Sequence, residues 1–367
     1  MSARAAPDWD RFAHWPLVPA RLALLVLIVL LLISAIVPIE AGQSKVQTRS
    51  FVENLSAESG HGRKRDDDLA LYDRVIERIR HGENYYDFIV EEHRKVGYPI
   101  RPGLAVRLPT LAYIEALIGE TGQTFAAVLL MLATLVVWWR RLGEEPGGRE
   151  HRLFAMALLF VGVSLGLNRY FFTLHELWAG MLLVLAFGLH RPGKWGAALA
   201  VAALALAIRE LALPFVLLMG AMAFWRRNSR EGLAWLVLAF VFLVALIVHL
   251  WIIYAQALPS DPPSASWLAM RGLSGWLSDV VLSSNLRFLP HWIAGPLVIL
   301  MLLGWCGWRS PAGTFGTFLY LGYGLAFMIA GRPDNYYWGA MVAPAMFIGF
   351  AFLPRSLRSL VNASSAK

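Results

Sequence analysis

Arg209 and Glu210 are adjacent in a stretch that is apolar on both sides, through 195–209 and 211–225. A charge held at the edge of hydrocarbon is costly without a partner. Neighbours in sequence do not face each other on a helix, so each of the two is expected to have a separate partner. Two further turns between apolar runs carry similar groups: Asn168, Arg169, His175 and Glu176 in one, and Arg332, Asp334 and Asn335 in the other. Asp66, Asp67, Asp68, Arg101 and Arg107 lie earlier, in a long polar stretch. An arginine can grip phosphate oxygens with a planar, permanently charged fork. A carboxylate can take a proton from a hydroxyl, or supply oxygen ligands to a divalent cation such as Mg or Mn. Beside arginines a buried acid stays ionised, as a general base must. Together these residue types suit transfer from a phosphate-bearing lipid donor to an acceptor, with Asp66 and Asp68 as the acids that could also serve a metal.

Each group has a plainer account as well. His175 and Glu176 read equally as an interfacial cap. Tyr336, Tyr337 and Trp338 read as an aromatic belt at the membrane surface rather than a sugar platform. The Asp66–Asp68 run reads as a solvated helix N-cap.

The elements that must position these residues are membrane helices. The chain has 57% hydrophobic and only 16% charged residues, where a soluble protein has about 25% charged. Its mean hydropathy is +0.54. Apolar runs suited to spanning helices cover 20–38, 122–139, 153–168, 174–189, 195–209, 211–225, 233–254, 288–305, 314–331 and 338–353. The expectation is an all-α polytopic membrane protein of about ten transmembrane helices, one domain over 1–367. The net charge of +8 is assigned to helix ends on the cytoplasmic side, not to nucleic acid. Arg140, Arg141, Arg149, Arg152, Arg191, Lys194, Arg226, Arg227 and Arg230 all fall on one side if both termini are inside. The functional candidates then share the outer face. The single cysteine, Cys306, leaves no internal disulfide and no CxxC metal framework.

The first outer loop, 39–121, is expected to carry amphipathic juxtamembrane helices. The acidic triplet should start one, with Leu69, Tyr72, Val75 or Ile76, and Ile79 at helical spacing and Arg80-His81-Gly82 as its stop. A second should start at Asn84 and end near Gly97. Residues 109–118 are read as an interfacial helix that Gly119 ends, which keeps the arginines near 140–152 on the inner side.

With these stretches in view, the chain resembles the integral-membrane glycosyltransferases of the GT-C fold, compact bacterial type. The likeness rests on D66-D-D-L-A-L-Y72 running on to G82-E-N-Y-Y86, on R107-L-P-T-L-A-Y113, on R209-E-L-A-L-P214 and on G331-R-P-D-N-Y-Y-W338. The resemblance implies a polyprenyl-phosphate-linked sugar donor, a lipid or glycan acceptor, and a central acid in the first outer loop. That role would fall to Asp66, Asp67 or Asp68, with Glu40 as the acid nearest the first span. Competing expectations are an envelope glycan polymerase or ligase and a non-enzymatic flippase. A transporter would place polar groups near the midplane on broken helices, whereas the helix centres 180–187 and 197–206 are featureless.

Overall fold

Prolines, glycines and capping side chains fix where the helices of this chain begin and end. The computed structural model describes residues 7–40 and 67–365, without the side chain of Asp67. Asp66 lies outside the described residues. Helix α1, Leu17–Ile36, starts directly after Pro16 and buries only Ala20, Leu27 and Ser34. Leu22, Leu25, Val26, Leu32 and Ile36 are exposed along it. The 27-residue helix Ser229–Ala255 is similar: Phe240, Val241, Ile247 and Trp251 point outward. Apolar faces of this extent need lipid as solvent.

Five helical stretches are long and apolar enough to cross a membrane: Leu17–Ile36, Gly103–Glu144, Gly148–Leu167, Ser229–Ala255 and Pro311–Ile329. Shorter apolar helices cover His175–Leu189, Gly196–Ile208, Glu210–Trp225 and His291–Gly307. No strand occurs among the described residues. The protein is therefore helical and membrane-embedded.

In chain order, α2 is Asp67–Arg80, α3 Tyr85–Lys95 and α4 Thr110–Glu144. Next come α5 Gly148–Val163, α6 His175–Leu189, α7 Gly196–Ile208, α8 Leu213–Trp225 and α9 Ser229–Ala255. The chain ends with α10 Gly272–Leu282, α11 His291–Gly307, α12 Pro311–Ile329 and α13 Gly349–Ser365. Helix α2 stops as its sequence requires. The amides of Gly82 and Glu83 bond back to the carbonyls of Ile79 and Arg78, with Gly82 at φ 88°, the double bond of a Schellman stop. Asn84 caps α3 by accepting from the Tyr86 amide. Gly119 (φ 66°, ψ 179°) splits α4 into a short and a long helix.

Two expectations need correction. The window 338–353 is not one helix. A 3-10 stretch, Pro333–Met341, and a single turn, Ala343–Met346, precede α13. Pro344 lacks the amide that would continue a helix through this point. Helix α10 was not expected, because its eleven residues are too few to read as a span and include Asp279.

The loop helices α2 and α3 build a small core of their own. Leu71, Val75, Ile76 and Ile79 pack on Tyr85, Phe88 and Ile89, and on Ile253 of α9. This core sits at the end of the bundle where α6 begins and α7 ends. Helix α7 has 13 residues, about 20 Å at 1.5 Å per residue, against a hydrocarbon core of about 30 Å. The α7–α8 turn lies beneath α2 and α3, with a recess between them.

Candidate functional site

The recess is a cavity of about 290 Å³. Asp68 and Tyr72 of α2 line it, as do His93 of α3, Tyr98, and Arg107 from the extended stretch before α4. Arg209 and Glu210 come from the α7–α8 turn, Ser264 and Trp267 from the segment before α10, and Arg332, Asp334, Asn335, Tyr337 and Trp338 from the stretch after α12. Residues far apart in sequence share this one space.

The backbone explains the α7–α8 turn. Arg209 is extended (φ −146°, ψ 120°), and Glu210–Ala212 forms a 3-10 turn before α8. Off the helix, neighbouring side chains can meet, and Arg209 pairs directly with Glu210. The expectation of separate partners is corrected on this point. Arg209 has a second partner all the same: its Nε donates to Oε1 of Glu176 at 2.6 Å.

Glu176 is the hub beneath the cavity. It is fully buried, and its Oε1 also lies 3.5 Å from Nη2 of Arg107. Its Oε2 has no hydrogen-bond partner among the described residues. One dry carboxylate thus holds two arginines, which would otherwise be costly to bury. Arg107 donates to the Tyr72 hydroxyl at 3.1 Å and to the Tyr337 hydroxyl at 3.2 Å. Tyr337 also accepts from the Asn335 amide at 3.2 Å. Tyr337 therefore faces inward onto Arg107, not outward as a belt residue. Arg332 pairs with Asp334 at 3.1 Å and donates to Ser264 Oγ and the Ala265 carbonyl.

Of the residues singled out from sequence, the cavity brings together Asp68, Arg107, Arg209, Glu210, Arg332, Asp334 and Asn335. Glu176 stands behind it. His175 is buried on the far side of Tyr72, with the two rings 5.2 Å apart. Arg101 does not line the cavity. It holds the carbonyls of Pro259 and Asp261, in the segment that carries Ser264. Glu40 anchors through its backbone to Ser278 and is likewise outside the lining. Asp68 makes no ion pair among the described residues.

Sequence reading took Tyr72 only as part of a helix face, and passed over His93, Trp267 and the buried pair Arg271–Asp279 as site residues. Arg271 donates to Asp279 at 2.9 Å and to the Arg332 carbonyl at 3.3 Å, so it props the turn that carries Arg332. An Asp in the middle of an apolar eleven-residue run was the available signal. Burial pulls the His93 imidazole down to about 4, so it is neutral at physiological pH. Burial also raises the Tyr72 hydroxyl, so it stays protonated beside Arg107.

Comparison with known proteins found no matching family model, no matching curated protein and no matching solved structure. The cavity must therefore be read from its own chemistry. It offers arginine forks for an anion, a carboxylate at the rim, and the rings of Tyr98, Trp267, Tyr337 and Trp338. Among the described residues no group of three or more His, Cys, Asp or Glu is disposed to hold a metal ion. A cation at Asp68 would need its remaining ligands from a bound phosphate or from outside the described set.

Proposed function

We propose that this protein is a membrane glycosyltransferase of the GT-C kind, moving a sugar from a polyprenyl phosphate to a lipid or glycan acceptor. The observation that carries the reading is the convergence of Arg107, Arg209 and Arg332 on one recessed cavity with Asp68 at its rim. In this scheme the donor phosphate lies against the arginine forks, which arrive already oriented by Glu176, Glu210 and Asp334. Asp68 takes the proton of the acceptor hydroxyl. The hydroxyl oxygen forms the new bond to the anomeric carbon, while the bond from that carbon to the phosphate oxygen breaks. The electron pair leaves on the lipid phosphate, where the arginines stabilise the developing charge. Trp267 and Trp338 give the sugar flat apolar surfaces.

The polar groups at one end of the bundle, rather than at its midplane, favour this reading over a flippase. The topology belongs to the same proposal: about ten spans in an inner membrane, both termini cytoplasmic, and the cavity on the outer face. Reporter fusions at Gly147 and Ser229 should read cytoplasmic, and one at Ser264 external. An external signal at Gly147 would invert the scheme. The direct test is turnover of radiolabelled polyprenyl-phosphate sugar by purified protein. Release of free sugar or labelled product supports transfer. Protein that only moves the labelled lipid between leaflets, with the sugar still attached, would replace the enzyme with a flippase.

A further inference from the structure

Helix α2 has chemistry on both flanks. Asp68 and Tyr72 line the cavity already described, whereas Asp73, Glu77 and Arg80 line a second cleft of about 640 Å³. Glu120 and Gln123 of α4 and Arg169 of the α5–α6 turn form its other wall. The ion pairs within its two walls are long, Arg80–Glu77 at 3.5 Å along α2 and Arg169–Glu120 at 3.6 Å on the facing wall. Exposed pairs of this length bind weakly and leave donors and acceptors for a ligand. Gln123 is 6% exposed, faces the cleft and has no hydrogen-bond partner among the described residues. Three carboxylates (Asp73, Glu77, Glu120) meet two guanidiniums (Arg80, Arg169), leaving one negative charge in excess. Directly along α4, Leu117, Phe125 and Leu129 are 86%, 66% and 64% exposed. The cleft therefore sits where a lipid headgroup layer would meet acyl chains.

The cleft and the cavity are also neighbours. Between them lies a void of about 10 Å³, lined by Tyr72 and Arg107 from the cavity and by Ile76 and Thr173 from the cleft. His175 faces this void. It is 4% exposed, and its Nδ1 has no hydrogen-bond partner among the described residues. A buried, unpartnered ring nitrogen facing a small void between two polar spaces is costly unless something polar docks there.

We propose that the cleft is the docking site of the acceptor, an amphiphile whose head carries an ammonium group beside a phosphate, and that the head reaches the cavity past His175. This rests on the glycosyl-transfer reading for the word acceptor, but not for the binding chemistry. The carboxylates take the ammonium, Arg80 and Arg169 take the phosphate, and the chains lie along α4.

The test offers equal amounts of phosphatidylethanolamine and phosphatidylglycerol to the detergent-solubilised protein and counts retained lipid by native mass spectrometry. The wild type should prefer the ethanolamine lipid about tenfold, and the double variant Glu77→Gln, Glu120→Gln should reduce that to parity. Equal retention in the wild type, or an unchanged preference in the double variant, overturns the cleft. An ethanolamine lipid with a photoreactive head should label His175 or Glu176, beyond the cleft lining, in the wild type. In Thr173→Trp, which fills the void, labelling there should vanish while labelling near Glu120 persists. Absence of wild-type labelling at 175–176 overturns the passage. Farnesyl phosphate affinity, measured on the same samples, reports the cavity and the fold of the Trp variant. Failure of the wild type to bind farnesyl phosphate sinks the transfer reading while leaving the headgroup preference to be judged by itself.

Discussion

The two ends of the same helices treat buried charge in opposite ways. At one end of α4 and α6, Arg141 is 1% exposed. It donates to Glu145 and to the carbonyls of Phe187 and His190. Glu145 in turn accepts from the Ala312 amide, and His190 and Arg226 both meet the buried Glu231. Asp10 closes the set by holding Arg355 and Ser359. These groups tie the chain termini and turns together. At the other end, Glu176 keeps one oxygen unpartnered, His175 one nitrogen, and the arginines face a cavity. A charge cluster whose carboxylates are all paired, with only the Nε of Arg226 left over in this set, works as a rivet. An incompletely paired one around a space is arranged for something that arrives later.

The contrast can be broken first at the rivet. Arg141→Ala should cost about 3–5 kcal/mol, because it strands Glu145, yet activity per folded molecule should be unchanged. Thermal melts beside turnover would show this, and a stable but inactive variant would erase the distinction between the ends. At the cavity, Asp68→Asn should fold normally, since Asp68 is exposed near the start of α2 and loses only its interaction with the helix dipole, about 0.3–1 kcal/mol. Its turnover should fall about a hundredfold, close to 2.7 kcal/mol of barrier; full activity there would remove Asp68 as the base. Arg209→Lys keeps the charge but loses the fork. Donor-phosphate affinity should weaken about tenfold, about 1.4 kcal/mol, with little change in melting temperature. Lost stability with intact affinity would make Arg209 a second rivet. The smallest effect concerns pH. His93 is held down to about 4 against 6.5 for a free imidazole, so between these values the opened chain binds its proton first. Stability of the α2–α3 roof, fully present above 6.5, should decline as pH falls towards 4. His93→Gln should flatten that slope, read by hydrogen exchange in α3.

Much of the roof was legible because its signals are local. Asn84 caps, Gly82 stops, and Gly119 breaks, each through its own backbone. The membership of the cavity was legible in part, since charges at span ends must gather on one face or the other. Their pairing was not. Arg209 meets Glu176 across 33 positions, and no periodicity encodes such a contact. The direct Arg209–Glu210 pair was misread because helical geometry was assumed where the backbone is extended. Helix α10 escaped because burial inside protein, not lipid, permits a short apolar segment with an Asp at its centre. Tyr337 looked like a belt residue because aromatic composition does not say which way a ring points.

Gly119 adopts a backbone conformation nearly reserved for glycine, and a methyl group added there would meet no atom within 4 Å. Its place in α4 is therefore one of mechanics, not packing. The short helix before it belongs with the roof, and the long helix after it belongs with the bilayer. Membranes differ in hydrocarbon thickness, and spanning helices answer by tilting. A continuous 35-residue rod would pass every such tilt on to Arg107 and the roof above the cavity. The interruption acts as a universal joint, so the proposed transfer reaction should be tolerant of bilayer thickness, and Gly119→Ala should make it thickness-dependent in vesicles of graded acyl-chain length.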